Sequence, residues 1–78
     1  MKKTATVPAL HAEQALSIAE SDARSVYRDL SVYRISLELD DDGWHVDYLL
    51  RDRGMKGGGP HYVIDPYSGV IASKRYEQ

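Results

Sequence analysis

Cysteine is missing from this chain, and so is phenylalanine; tryptophan occurs once and proline three times in 78 residues. Without cysteine there is no disulfide, no thiolate metal site and no cysteine nucleophile. A domain this short then has to stand on its packing alone, near the lower end of what folds without staples. No apolar run approaches the ~20 residues that a membrane-spanning helix requires, and Pro8, His11, Glu13 and Gln14 interrupt what would be the apolar core of a signal peptide after Met1-Lys2-Lys3. Ten basic against twelve acidic residues give a net charge of −2, and the basic stripe of a nucleic-acid-binding protein is lacking. The expectation is a single domain without membrane span or nucleic-acid partner, placed in the cytoplasm, with the periplasm as the other compartment that a cysteine-free chain suits.

What the chain does have is tyrosine, six of them within a 42% hydrophobic fraction. A tyrosine buries its ring but needs a partner for its hydroxyl, so the composition suits a small sheet with one side open. Residues 1–7 show no periodicity and read as a flexible tail, leaving 8–78 as the domain, with Pro8 close to a helix start. Ala12, Ala15, Leu16, Ala19, Ala23, Val26, Tyr27 and Leu30 follow the spacing of one helical face. Glu13, Gln14, Glu20, Asp22, Arg24 and Arg28 fall largely on the other side. From Val32 the period becomes two. Tyr33, Ile35, Leu37 and Leu39 alternate with polar residues, Asp40-Asp41-Asp42-Gly43 signals a hairpin, and Trp44, Val46, Tyr48 and Leu50 share one face of the next strand. His45, Asp47, Leu49 and Arg51 take the opposite face. A charged, glycine-rich connection over 51–59 leads to a third strand at His61–Asp65. Asp65-Pro66-Tyr67-Ser68-Gly69 has the composition of a type I turn, and Val70–Tyr76 forms the fourth strand. The fold class is α+β, one N-terminal helix packed on a four-stranded antiparallel meander.

Few residues invite a chemical role. Asp40, Asp41 and Asp42 lack the alternating ligands, central glycine and closing glutamate of a calcium loop, so a solvated turn explains them better. His11, His45 and His61 are too dispersed for local metal-ligand spacing, and His45 and His61 would meet only across the sheet without an evident third ligand. No serine sits in a nucleophile elbow. Gly57-Gly58-Gly59 leads through Pro60 into a strand, whereas phosphate loops lead into a helix. Its glycines suit a sharp turn or the close approach of another backbone. No catalytic, cofactor or metal residues are assigned.

The run Gly57-Gly58-Gly59-Pro60-His61-Tyr62-Val63-Ile64-Asp65-Pro66-Tyr67-Ser68-Gly69-Val70-Ile71 resembles the C-terminal signature of small bacterial immunity proteins with a cystatin-like, nuclear-transport-factor-like fold. The Ala-rich helix at Glu13–Glu20 and the Trp44-His45-Val46-Asp47-Tyr48 strand extend the resemblance over roughly Pro8 to Gln78. PepSY domains share the helix, the aromatic strand and the terminal Ile-Asp hairpin. The immunity resemblance implies a non-enzymatic protein that neutralises a cognate protein toxin by binding it, without cofactor. The PepSY resemblance implies a peptidase-regulating domain. Neither supplies transferable contact residues. The uncovered sheet face and loop ends then nominate His45, Asp47, Leu49 and Arg51 on the second strand and His61 and Val63 on the third. Arg53, Met55 and Lys56 in the connection and Tyr67 in the last turn complete the set, since interfaces favour aromatic and arginine anchors. An exposed sheet edge also admits homodimerisation, with monomer and homodimer both open. Lys74 and Arg75 guard the final strand against strand pairing by their charge.

Overall fold

A computed structural model describes residues 10–52 and 58–76. Helix α1 (Ala12–Val26) is followed by strands β1 (Tyr33–Asp40), β2 (Gly43–Leu50), β3 (Pro60–Ile64) and β4 (Ile71–Tyr76). The strands form one antiparallel sheet in the order β1-β2-β3-β4, the expected meander under a single helix. The expected tail at 1–7, Pro8 and the connection residues Arg53, Met55 and Lys56 lie outside the described residues.

Helix α1 begins where the Gln14 side-chain oxygen accepts the His11 backbone N–H at 2.7 Å, occupying one of the donors that a helix start leaves orphaned. Ala15, Ala19 and Ala23 are fully buried, so the helix backbone lies close to the sheet. The sequence stripe runs on to Leu30, but the helix stops at Val26 and Tyr27 takes an extended conformation. Asp29 accounts for the chain's new course. Its Oδ1 accepts the Ser31 N–H at 2.9 Å and the Ser31 hydroxyl at 2.6 Å, a local turn that competes with helix. Leu30 still reaches the core, from the connection and not from the helix.

The two-residue turn at Asp41-Asp42 sets a register in which Asp40 faces Gly43, Leu37 faces Val46 and Tyr33 faces Leu50. Gly43 has φ +131° and sits against the Ile64 carbonyl, where a side chain would collide. β2 and β3 pair with Trp44 opposite Ile64 and Asp47 opposite His61. The turn from β3 to β4 is held by Asp65, whose Oδ1 accepts the Tyr67 and Ser68 N–H groups at 2.8 and 2.9 Å, with Gly69 at φ +80° closing it.

The core lies between α1 and the two central strands: Val46, Tyr48, Tyr62 and Ile64 are at most 2% exposed. Burial on this scale contributes about 1.5–3 kcal/mol per side chain. Tyrosines do the work of the missing phenylalanines. Tyr27, Tyr33, Tyr48 and Tyr62 form a chain of edge-to-face contacts with centroids 6.1 to 6.4 Å apart. The apolar faces of β1 and β2 do not share the helix equally. A helix about 10 Å wide spans two strands spaced about 4.8 Å apart, and α1 lies over β2 and β3. Ile35 and Leu39 on β1 therefore remain 48% and 46% exposed.

Asp22 departs from the polar face to which its charge assigns it. It lies seven residues after Ala15 and three after Ala19, on the buried stripe, and turns toward the sheet. Its carboxylate accepts the Tyr62 hydroxyl at 2.9 Å, the Tyr76 hydroxyl at 2.5 Å and the Lys74 ammonium at 3.1 Å. One acid thus fastens α1 to β3 and β4. The Tyr76 bond, followed by those from Tyr62 and Lys74, holds this carboxyl below the usual range against the opposing effect of burial. Among the described residues no helix is long and apolar enough to cross a membrane.

Candidate functional site

The sheet face away from α1 carries every other residue of each strand. Register places Ser36, Asp47, His61 and Arg75 in one row across the four strands, and Glu38, His45, Val63 and Ser73 in the next. His45, Asp47, His61, Val63, Ser73 and Arg75 line a shallow depression of about 210 Å³.

Strand pairing itself builds the centre of this face. Because Asp47 and His61 are directly opposed on β2 and β3, the His61 ring Nδ1 and Asp47 Oδ1 meet at 2.7 Å, with the two side chains 16% and 33% exposed. Cross-strand pairs of this kind hold both partners in one geometry. His45 is fixed from the turn instead, its Nε2 lying 2.6 Å from Asp42 Oδ1. That bond, helped by the neighbouring Asp42 and Asp40 charges, raises the His45 pKa above its ordinary value even though partial burial acts in the other direction. The same bond holds Asp42 low. The face therefore presents two histidine–aspartate pairs at fixed positions, with a serine and an arginine beside them.

His45, Asp47, Leu49 and His61 share this face as the alternation requires, and Val63 lies with them. Arg51 and Tyr67 do not join the group. Arg51 sits at the sheet end where β2 leaves, and its Nε donates to the Ser31 carbonyl at 3.1 Å, tying down the connection before β1. Tyr67 is 59% exposed on the β3–β4 turn, at the opposite end. Ser73 and Arg75 also line the depression, although the sequence nominates neither for this face and gives Arg75 only the role of guarding an edge. Plain alternation from Ile71, which packs on the core, would have put both on the helix side; the extra residue at the Val63/Ile64 register shift turns them to the open face and lets Lys74 and Tyr76 reach Asp22 beneath the sheet. Gly59 supplies a close approach of the kind expected of the glycine run, but inside the chain. It donates to the Tyr48 carbonyl at 3.1 Å, and an added Cβ would lie 2.8 Å from Tyr48 Cβ and 2.9 Å from the Tyr33 ring.

Asp40, Asp42 and His45 bring one ligand atom each to within 4.8 Å of one another, a convergence that separate readings of the aspartates and the histidines did not reveal. Their exposure and the direct Asp42–His45 bond account for this cluster as a braced hairpin turn. The depression is open and lies on a single layer of sheet, so its groups are suited to hydrogen bonding and ion pairing with an incoming surface. It does not enclose a substrate away from water in the manner of most small-molecule sites. Comparison with protein-family models, with curated proteins and with solved structures finds no match to this chain.

Proposed function

We propose that this protein is a non-enzymatic binding protein whose partner is another protein, and that it acts as an immunity protein neutralising a cognate bacterial toxin in the cytoplasm. The observation that carries the proposal is the open face of the sheet. It holds the Asp47–His61 pair, the depression beside it and the flanking Ser73 and Arg75, with no described element laid over it. Polar pairs fixed before binding cost little ordering entropy when a partner docks, and an arginine beside them is a favoured anchor type. The resemblance of the Gly57–Ile71 run to immunity proteins supplies the class of partner.

Co-expression with the product of a neighbouring toxin-like gene tests this reading. A stable complex and survival of the expressing cells are expected. Absence of both complex and protection for every adjacent gene product would contradict it. The Asp65-centred last hairpin equally suits a PepSY-like regulator, and a dose-dependent change in the activity of a co-encoded peptidase would favour that role.

A further inference from the structure

The two edges of the sheet differ. β4 carries Lys74 and Arg75, and its pairing with β3 is interrupted by a register shift at Val63/Ile64. Bulges and lysines are devices that keep an edge from pairing. β1 has neither, since its eight residues pair with β2 in unbroken register and contain no proline. Asp40 and Gly43 flank the two-residue turn, and such a closing pair is hydrogen-bonded. Alternation then turns the backbone groups of Arg34, Ser36 and Glu38 toward β2, in agreement with the Arg51 N–H donated to the Val32 carbonyl at 2.9 Å. The backbone groups of Ile35, Leu37 and Leu39 point outward. Among the described residues no backbone group is paired with them.

The sequence of this edge is complementary to itself. With two copies antiparallel about Ser36, Arg34 faces Glu38 of the second copy, Ile35 faces its Leu37, and Tyr33 faces its Leu39. Opposite charges meet on the open face, twice, at non-hydrogen-bonded positions where side chains stand closest. On the helix side, Ile35 and Leu39, left about half exposed because α1 does not reach them, meet apolar partners. We infer that β1 is a homodimerisation edge, pairing with β1 of a second copy about Ser36 to make one continuous eight-stranded sheet. A two-fold interface of this kind closes on itself. The inference does not depend on the binding role proposed for the open face, which the pairing leaves accessible.

The absence of cysteine makes the register directly testable. Opposed non-hydrogen-bonded residues have Cα atoms about 4.5 Å apart, within disulfide range. Ser36→Cys is therefore expected to oxidise to a covalent dimer, while Arg34→Cys and Glu38→Cys form no covalent dimer alone and cross-link to each other when mixed. Sedimentation of the unmodified protein over a wide concentration range should show reversible doubling of mass and no growth beyond it. Glu38→Arg places like charges opposite each other and should weaken the dimer about tenfold or more, with Arg34→Glu/Glu38→Arg restoring it. The inference is overturned by a monomer throughout, by open-ended growth that signals β1–β4 pairing, by a dimer indifferent to Glu38→Arg, or by cross-linking in another register.

Discussion

Replacing Asp22 should cost this domain a large part of its stability. Asp22 accepts two tyrosine hydroxyls and one ammonium, and Tyr62 is only 1% exposed, so without the carboxylate its hydroxyl loses an acceptor in a place water hardly reaches. Hydrogen bonds to a charged group contribute about 1.5–3 kcal/mol, with less for the half-exposed lysine pair. Alanine returns up to about 0.7 kcal/mol in helix propensity. Asp22→Ala is therefore expected to lose about 2–3 kcal/mol in urea unfolding at unchanged slope, equivalent to roughly 8–24 °C in Tm for a domain of this size. Asp22→Asn, which keeps an acceptor and loses the charge, should fall between. Because the folded-state pKa of Asp22 is depressed, its ionic contribution is complete above the unfolded carboxyl value and is lost as pH falls through the folded one. The gap between wild type and Asp22→Asn should accordingly narrow below pH 3.8. An Asp22→Ala protein within 0.5 kcal/mol of wild type (about the scatter of ordinary surface substitutions) would refute the assignment of Asp22 as the tie between helix and sheet.

Gly59→Ala should destabilise the fold by about 1–3 kcal/mol through overpacking against Tyr48 and Tyr33, measured by the same denaturation. His45, whose pKa the bond to Asp42 raises, should titrate above 6.5 by NMR and move back toward that value in Asp42→Asn. Its contribution to stability is complete below pH 6.5 and disappears as pH rises through the folded value, so the stability difference between wild type and Asp42→Asn should shrink on going from pH 6 to pH 9.

The meander was legible because period-two alternation over Tyr33–Asp40 and Gly43–Leu50, with Asp-Gly between them, leaves little freedom of register. The helix was legible from its alanines, but not its end. Tyr27 and Leu30 have apolar side chains at helical spacing, and only the Asp29–Ser31 turn shows that they reach the core from extended chain. Charge hid Asp22, although its spacing from Ala15 and Ala19 puts it on the buried side. At the open face, alternation placed His45, Asp47, Leu49 and His61 together correctly. The 2.7 Å Asp47–His61 pair required the β2–β3 register, which a connection as long as residues 51–59 does not fix in the way a two-residue turn does. Arg51 shows the converse limit, since its exposure in the alternation gives no sign of its bond to the Ser31 carbonyl.

The open face as binding surface is tested most directly by the affinity of the isolated complex when the face alone is altered. Asp47→Arg reverses the charge at the centre of the face, beside His61 and in the row that holds Arg75. Calorimetric titration of the toxin partner should show affinity lower by about a hundredfold, the effect of losing a central anchor, while Glu13→Arg on the exposed side of α1 leaves it within about twofold. Equal affinity for wild type and a folded Asp47→Arg protein, or a loss produced by Glu13→Arg instead, would contradict it.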